Sequence, residues 1–214
     1  EGAVELAGTD IYSLSHSERA ALRRTRIGFV FQTFNLIPYL TCLENVCLPA
    51  LLAGGAEADC AERARKLLDG LGLGHRLSHR PAELSVGERQ RAALCRSMIN
   101  NPEVILADEP TGNLDPGITE EVMRIFLSLN SNGQTIVMAT HNPRLAGRCS
   151  SVVSLDKGRL VDAGHVAEPV EVLRLQELPM PGVARGDGHD GQHHQRDVQD
   201  RGLAGMVVPL PLPG

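Results

Sequence analysis

Val104-Ile105-Leu106-Ala107-Asp108-Glu109, followed by Pro110, is the stretch that decides the fold. Four apolar residues run without a polar break, the pattern of a strand buried on both faces. Two adjacent carboxylates end the run. Two further apolar runs match it, Ile27-Gly28-Phe29-Val30-Phe31 before it and Thr135 to Ala139 after it. Helical patterns fill the intervals. Ser15 with Glu18, Thr41 with Glu44 and Ser85 with Glu88 each have the spacing of a capping box at a helix start. Ala56 to Asp69 reads as a helix stopped by Gly70, with Leu67 and Leu68 on its apolar side. The helix led in by Leu84-Ser85 reaches about Asn100. Glu120 to Leu129 places Val122, Ile125, Phe126 and Leu129 on one helical face. Val152 to Leu155 and Arg159 to Val161 look like a hairpin around Lys157-Gly158. Val4 to Asp10 reads as the end of a strand and a turn. Strands alternating with helices predict an α/β fold with a parallel sheet.

Composition narrows the function. The formal net charge of −5 argues against a nucleic-acid partner, which would favour a clustered basic surface. No apolar run approaches the roughly 18–20 residues needed to cross a bilayer. The longest, Val46 to Ala53, is interrupted by Pro49. A soluble protein is expected, with any membrane role carried by a partner. Cys42, Cys47, Cys60, Cys95 and Cys149 form no metal-ligand spacing and suit reduced thiols of the cytosol. The stretch from Pro38 to His79, helical and without strands, reads as an inserted lobe. From about Pro179 Gly, Pro, His and Asp dominate, so 179–214 is expected to be a disordered tail. A shift of reading frame near Glu171 is the alternative origin for it.

Open parallel sheets place their sites at the carboxyl ends of the strands. Val104 to Glu109 resembles a Walker B motif there, although a strand followed by an acidic turn would read the same. The resemblance implies that Asp108 holds Mg²⁺ and that Glu109 polarises an attacking water as general base. Leu84-Ser85-Val86-Gly87-Glu88 resembles the ABC signature, usually LSGGQ, with Val86 and Glu88 replacing Gly and Gln. A helix N-terminus offers free N–H groups to a phosphate, so Ser85, Gly87 and Glu88 become nucleotide-binding candidates. The same residues also fit an ordinary cap. Gln32, at the end of the Phe29-Val30-Phe31 run, resembles the Q-loop glutamine, which senses Mg²⁺ and water. Asn113-Leu114-Asp115 resembles the D-loop, which adds Asp115 to the nucleotide contacts. His141, after the Thr135 run, resembles the switch histidine that meets the γ-phosphate.

Five motifs in this order identify a likeness to the ABC ATPase family over about Ala3 to Gly164. Ser15 to Gln32 (SHSERAALRRTRIGFVFQ), Phe34 to Pro38 and Thr111 to Asp115 are similar to the ATPases of lipoprotein-releasing and macrolide-exporting systems. The resemblance implies ATP and Mg²⁺ as cofactors, a head-to-tail dimer of ATPase subunits and an integral-membrane permease. It also implies a cytoplasmic position on the inner face of the membrane. The Thr41 to Leu51 region would meet the permease's coupling helix. The uninterrupted spacing from Gln32 to Ser85 disfavours a DNA-repair ATPase, and the single body disfavours a tandem translation factor.

The phosphate loop GxxxxGK[ST] does not occur in the 214 residues. Glu1 to Gly8 matches the segment just after that loop's helix in the family. The expectation is a P-loop NTPase-like sheet over 1–178, with a helical lobe at about 38–100 and without its first strands and phosphate loop. Such a chain would begin roughly 40–50 residues late. It would be inactive alone, and a non-catalytic interaction module is the competing reading.

Overall fold

The computed structural model describes residues 3–156 and 159–165. The predicted tail at 179–214, the C-terminal end of the predicted 1–178 body, and Lys157-Gly158 lie outside them. Strands β1 (Glu5–Leu6) and β2 (Thr9–Asp10) form a small antiparallel hairpin. Ala7 and Gly8, at φ 48° and 75°, make the turn between them. Two successive left-handed residues suit the right-handed twist of a hairpin. The expected strand end and turn are thus a hairpin of their own.

Helix α1 (His16–Arg26) leads into β3 (Ile27–Phe31). Helices α2 (Cys42–Leu52), α3 (Glu57–Gly70) and α4 (Val86–Met98) come next, before β4 (Val104–Asp108). Then come α5 (Pro116–Ser131), β5 (Thr135–Ala139), the short α6 (Pro143–Ala146), and the antiparallel pair β6 (Ser151–Asp156) and β7 (Arg159–His165). All three expected capping boxes form, with each Ser or Thr accepting from the third backbone N–H and each Glu returning the bond.

The central sheet has the order β3-β4-β5 and is parallel throughout. Its register sets Phe31 opposite Asp108 and Asp108 opposite Ala139. The next residues along, Gln32, Glu109 and Thr140, therefore leave the sheet along one edge. Two apolar clusters support it. One joins Val30, Ile105, Ala107, Ile136 and Met138 of the strands to Val122, Met123, Phe126 and Leu129 of α5. Met123 is buried where the sequence period favoured Ile125, which packs at the margin. The other fills the helical region with Val46, Leu68, Leu73, Ile99 and four of the five cysteines. All five thiols are free. Burial raises the Cys42 thiol to about 11 and lifts Cys95 well above the ordinary range.

Helix α2 runs through Pro49. Its buried face, Cys42, Val46 and Ala50, spans the proline and offsets its cost in a helix interior. Helix α5 departs from its sequence reading: it starts at Pro116, four residues before the expected Glu120, because Asp115 caps it and Pro116 takes the first turn.

Gly28 fixes how closely β3 approaches α4. A Cβ there would lie 2.5 Å from the Ser97 carbonyl oxygen. That obstacle is backbone, so sheet and helix would have to separate. Gly28→Ala is expected to cost roughly 2 kcal/mol, measured as a lowered urea midpoint. An unchanged midpoint would show that the contact yields freely.

Candidate nucleotide site

Glu109 is the best-held residue at the sheet edge. Its backbone lies at φ +42°, a left-handed value that a non-glycine residue adopts only under constraint. The constraint is visible: its N–H donates to the Ala139 carbonyl at 2.9 Å, and its carbonyl accepts from Gly112 N–H at 3.0 Å. The side chain is 6% exposed. Its Oε1 accepts from the His141 backbone N–H and lies 2.8 Å from His141 Nδ1. Its Oε2 accepts from Thr140 Oγ1 at 3.2 Å. The Thr140 hydroxyl accepts in turn from Asn142 N–H at 3.1 Å, which commits its proton to the carboxylate. Both carboxylate oxygens thus rest on the segment just after β5. The His141 side chain itself remains exposed, at 69%.

Asp108 is exposed, and its carboxylate makes no hydrogen bond or ion pair among the described residues. Gln32 faces the turn after β4. Its Nε2 donates to Asn113 Oδ1 at 3.3 Å, and Asn113 Nδ2 donates to the Gln32 carbonyl at 3.4 Å. Gly112 leaves room for this pair, because a Cβ there would lie 2.7 Å from Gln32 Nε2. Asp115 works as a cap, its Oδ1 accepting from Gly117 and Ile118 N–H at 2.9 and 3.1 Å.

Ser85, Gly87 and Glu88 lie at the start of α4. Ser85 is exposed and its hydroxyl accepts from Glu88 N–H at 3.2 Å. Glu88 is turned inward. Its Oε2 accepts from Ser85 N–H at 2.7 Å, and its Oε1 from Arg76 Nε at 2.8 Å. The Ser85 backbone N–H, then the Arg76 guanidinium, hold its carboxyl down to about 2 against the burial that would raise it. Gly87 is buried, and a Cβ on it would come within 3.2 Å of Ile118 Cγ2. The close approach it permits on that side is to α5.

The structure thus brings Gln32, Asp108, Glu109 and His141 to one edge and places Ser85, exposed, with Gly87 and Glu88, buried, at the start of α4. Sequence reading missed Thr140, Arg76 and Gln90, and placed Asn113 in a motif without finding its pairing with Gln32. Thr140 lay between a strand and a singled-out histidine, and Gln90 was a lone polar residue on the inner face of a helix. Arg76 carried no signal, since only the folded chain sets it against Glu88. Among the described residues no helix is long and apolar enough to cross a membrane, and no group of three or more His, Cys, Asp or Glu could hold a metal ion.

Comparison with known proteins agrees with this geometry. The family model described as ABC transporter matches residues 1–112. The lipoprotein-releasing system ATP-binding protein LolD of Novosphingobium aromaticivorans is 49% identical over 160 residues, 74% of this chain and 71% of that protein. The macrolide export ATP-binding/permease protein MacB of Marinobacter nauticus is 45% identical over 196 residues, 91% of this chain but 29% of that protein. The dimeric structure of MJ0796, a bacterial ABC transporter cassette, superposes with a TM-score of 0.70 at 36% identity, over 78% of this chain and 75% of that one. The same cassette in a post-hydrolysis state bound to ADP and phosphate matches at 37% identity, with the same TM-score and coverage. The chain therefore belongs to the ABC transporter family as an ATP-binding subunit of the LolD and MacB type.

Proposed function

We propose that this subunit hydrolyses ATP to drive a membrane permease of the lipoprotein-releasing or macrolide-exporting kind. The observation that carries the reading is Glu109, a carboxylate at the carboxyl end of a parallel strand, aimed by Thr140 and His141. In this reading Glu109 takes a proton from the attacking water, and His141, exposed beside it, faces the γ-phosphate. Asp108 and Gln32 offer hard oxygen donors at the same edge, a set that fits Mg²⁺ and would hold it. Bound there with ATP, the ion would neutralise phosphate charge.

Ser85 faces outward and so serves a second subunit's nucleotide in a head-to-tail pair. A dimeric neighbour of the same fold supports that arrangement. In that pair Gly87 and Glu88 hold α4 in shape behind Ser85, and Asp115 steadies the facing turn. The stretch 38–100 is the helical lobe. Large exposed apolar side chains at Ile37, Tyr39, Leu51 and Leu52, in and beside it, suit contact with the permease. Through that contact the subunit would sit on the cytoplasmic face of the membrane.

A second reading rests on one observation, that GxxxxGK[ST] does not occur among the 214 residues. That loop supplies the lysine and the N–H nest that grip phosphates. By themselves these residues would then bind the permease or an intact subunit without turning over ATP. The two readings part in one experiment on the full chain, alone and mixed with an intact cassette and the permease. Phosphate release that requires this chain's Glu109 supports hydrolysis. Permease binding without such release supports the interaction module. Tight binding of an ATP analogue by the chain alone would overturn the second reading.

A further inference from the structure

Gln90 is fully buried, and its Nε2 donates to the Pro110 carbonyl at 2.7 Å. Its Oε1 has no partner among the described residues. A buried amide with one end unsatisfied costs more than an apolar side chain of the same shape, so packing alone does not account for it. Its bond goes to a particular place. Pro110 follows Glu109 directly and opens a tight turn, in which Gly112 N–H donates to the Glu109 carbonyl and Leu114 N–H to the Thr111 carbonyl. The turn carrying the base therefore has a fixed point on α4.

Ser85 caps that same helix. Five residues separate it from Gln90, about 7.5 Å along the axis. Two more contacts join α4 to α5, the helix that follows the turn. Arg91 Nη1 pairs with Glu121 Oε1 at 2.6 Å, and Gly87 packs against Ile118. A displacement at Ser85 thus reaches Pro110 through a rigid helix and one hydrogen bond.

We propose that Gln90 is a positioning residue that ties the two nucleotide-facing surfaces of one subunit together. It fixes the Glu109 turn to the helix carrying Ser85, so a displacement at Ser85 is passed to the turn that holds the base. This rests on the reading that Ser85 meets a partner's ATP and Glu109 serves the subunit's own. Misplacing a catalytic group by about 1 Å is enough to cost on the order of 10²-fold in rate.

Two variants isolate the bond. Gln90→Met keeps the length and removes the amide. Gln90→Glu keeps the shape and, compared across pH, loses the donor when its carboxyl ionises at high pH, because a carboxylate cannot donate to a carbonyl. Hydrogen exchange on the full chain is expected to quicken about tenfold at the Gly112 and Leu114 amides in the Met variant and, at high pH, in the Glu variant, as loss of a roughly 1.4 kcal/mol tether would give. Amides inside α4 and β5 should not change. In the assembled transporter kcat should fall tenfold or more, with KM for ATP within twofold. Exchange at Gly112 and Leu114 within twofold of wild type would overturn the proposal. So would a uniform rise through α4, β4 and β5, or quickened exchange with kcat unchanged. If the Glu variant fails to fold, the Met variant decides. If the wild-type assembly releases no phosphate, the hydrolysis reading fails, and the exchange data still decide whether Gln90 holds the turn.

Discussion

Glu109→Gln is expected to lower phosphate release by the assembled transporter about 10²–10⁴-fold, the usual worth of a positioned general base. The fold should survive. A glutamine in the same rotamer presents its oxygen to the His141 backbone N–H, where Glu109 Oε1 now accepts at 2.8 Å. Its amide nitrogen donates to Thr140 Oγ1, reversing the 3.2 Å bond that Oε2 now receives. The buried Thr140 hydroxyl proton loses its acceptor in the exchange, so the variant should be less stable than wild type by about 1–3 kcal/mol. The variant loses the ability to take a proton from water. ATP binding should persist, and single-turnover kinetics would show nucleotide bound and uncleaved. Turnover within threefold of wild type would remove Glu109 from the role of base.

The capping boxes and the three parallel strands were legible in the sequence because each is specified locally. Ser15 and Glu18, Thr41 and Glu44, and Ser85 and Glu88 need only the spacing of one helical turn. The strands need only uninterrupted apolar runs bounded by breakers. The clamp on Glu109 was not legible, although Glu109 and His141 both stand out in the sequence. It depends on the register between β4 and β5, which sets Asp108 beside Ala139 and makes Thr140 the next residue along. The Gln32–Asn113 pair, 81 residues apart in the chain, depends likewise on how β3 meets β4. Gly87 shows the converse. Its smallness suggests access for a phosphate, and the side where a Cβ would stand is taken by Ile118 of α5. Which neighbour fills a glycine's space is a property of helix packing, and no local pattern carries it. Pro49 likewise interrupts the apolar run in the sequence, and the buried face of α2 continues through it.

Arg76→Ala should destabilise the subunit by about 3 kcal/mol at neutral pH, because it leaves the Glu88 carboxylate buried beside one hydrogen-bond donor where it had two. The lower end of the range for breaking a buried pair applies, since Arg76 keeps 32% side-chain exposure while Glu88 has 11%. The pH dependence separates charge from packing. In the folded chain Glu88 titrates near 2, below its ordinary 4.5, so its contribution is complete above about pH 5 and fades as pH falls toward 2. The gap in urea midpoint between wild type and Arg76→Ala should therefore be widest from pH 5 to 7 and narrow steadily below. The Ser85 N–H, the larger cause of the depressed value, remains in the variant and cancels from the gap, so the narrowing begins somewhat below 4.5 and runs down to about pH 2. A gap constant from pH 7 to 2.5 would mean that Arg76 acts through its aliphatic packing. The bridge matters beyond stability. Glu88 holds the backbone of Ser85 with one oxygen and Arg76 with the other, so the N-terminal end of α4 is anchored to the turn at Gly74–Arg76. A glutamine at this position could make the Ser85 contact or accept from Arg76 with its single oxygen, but not both as a charged pair. Glu88 therefore makes the outward face of α4 stiffer, and sensitive to acid, in a way the usual signature glutamine would not.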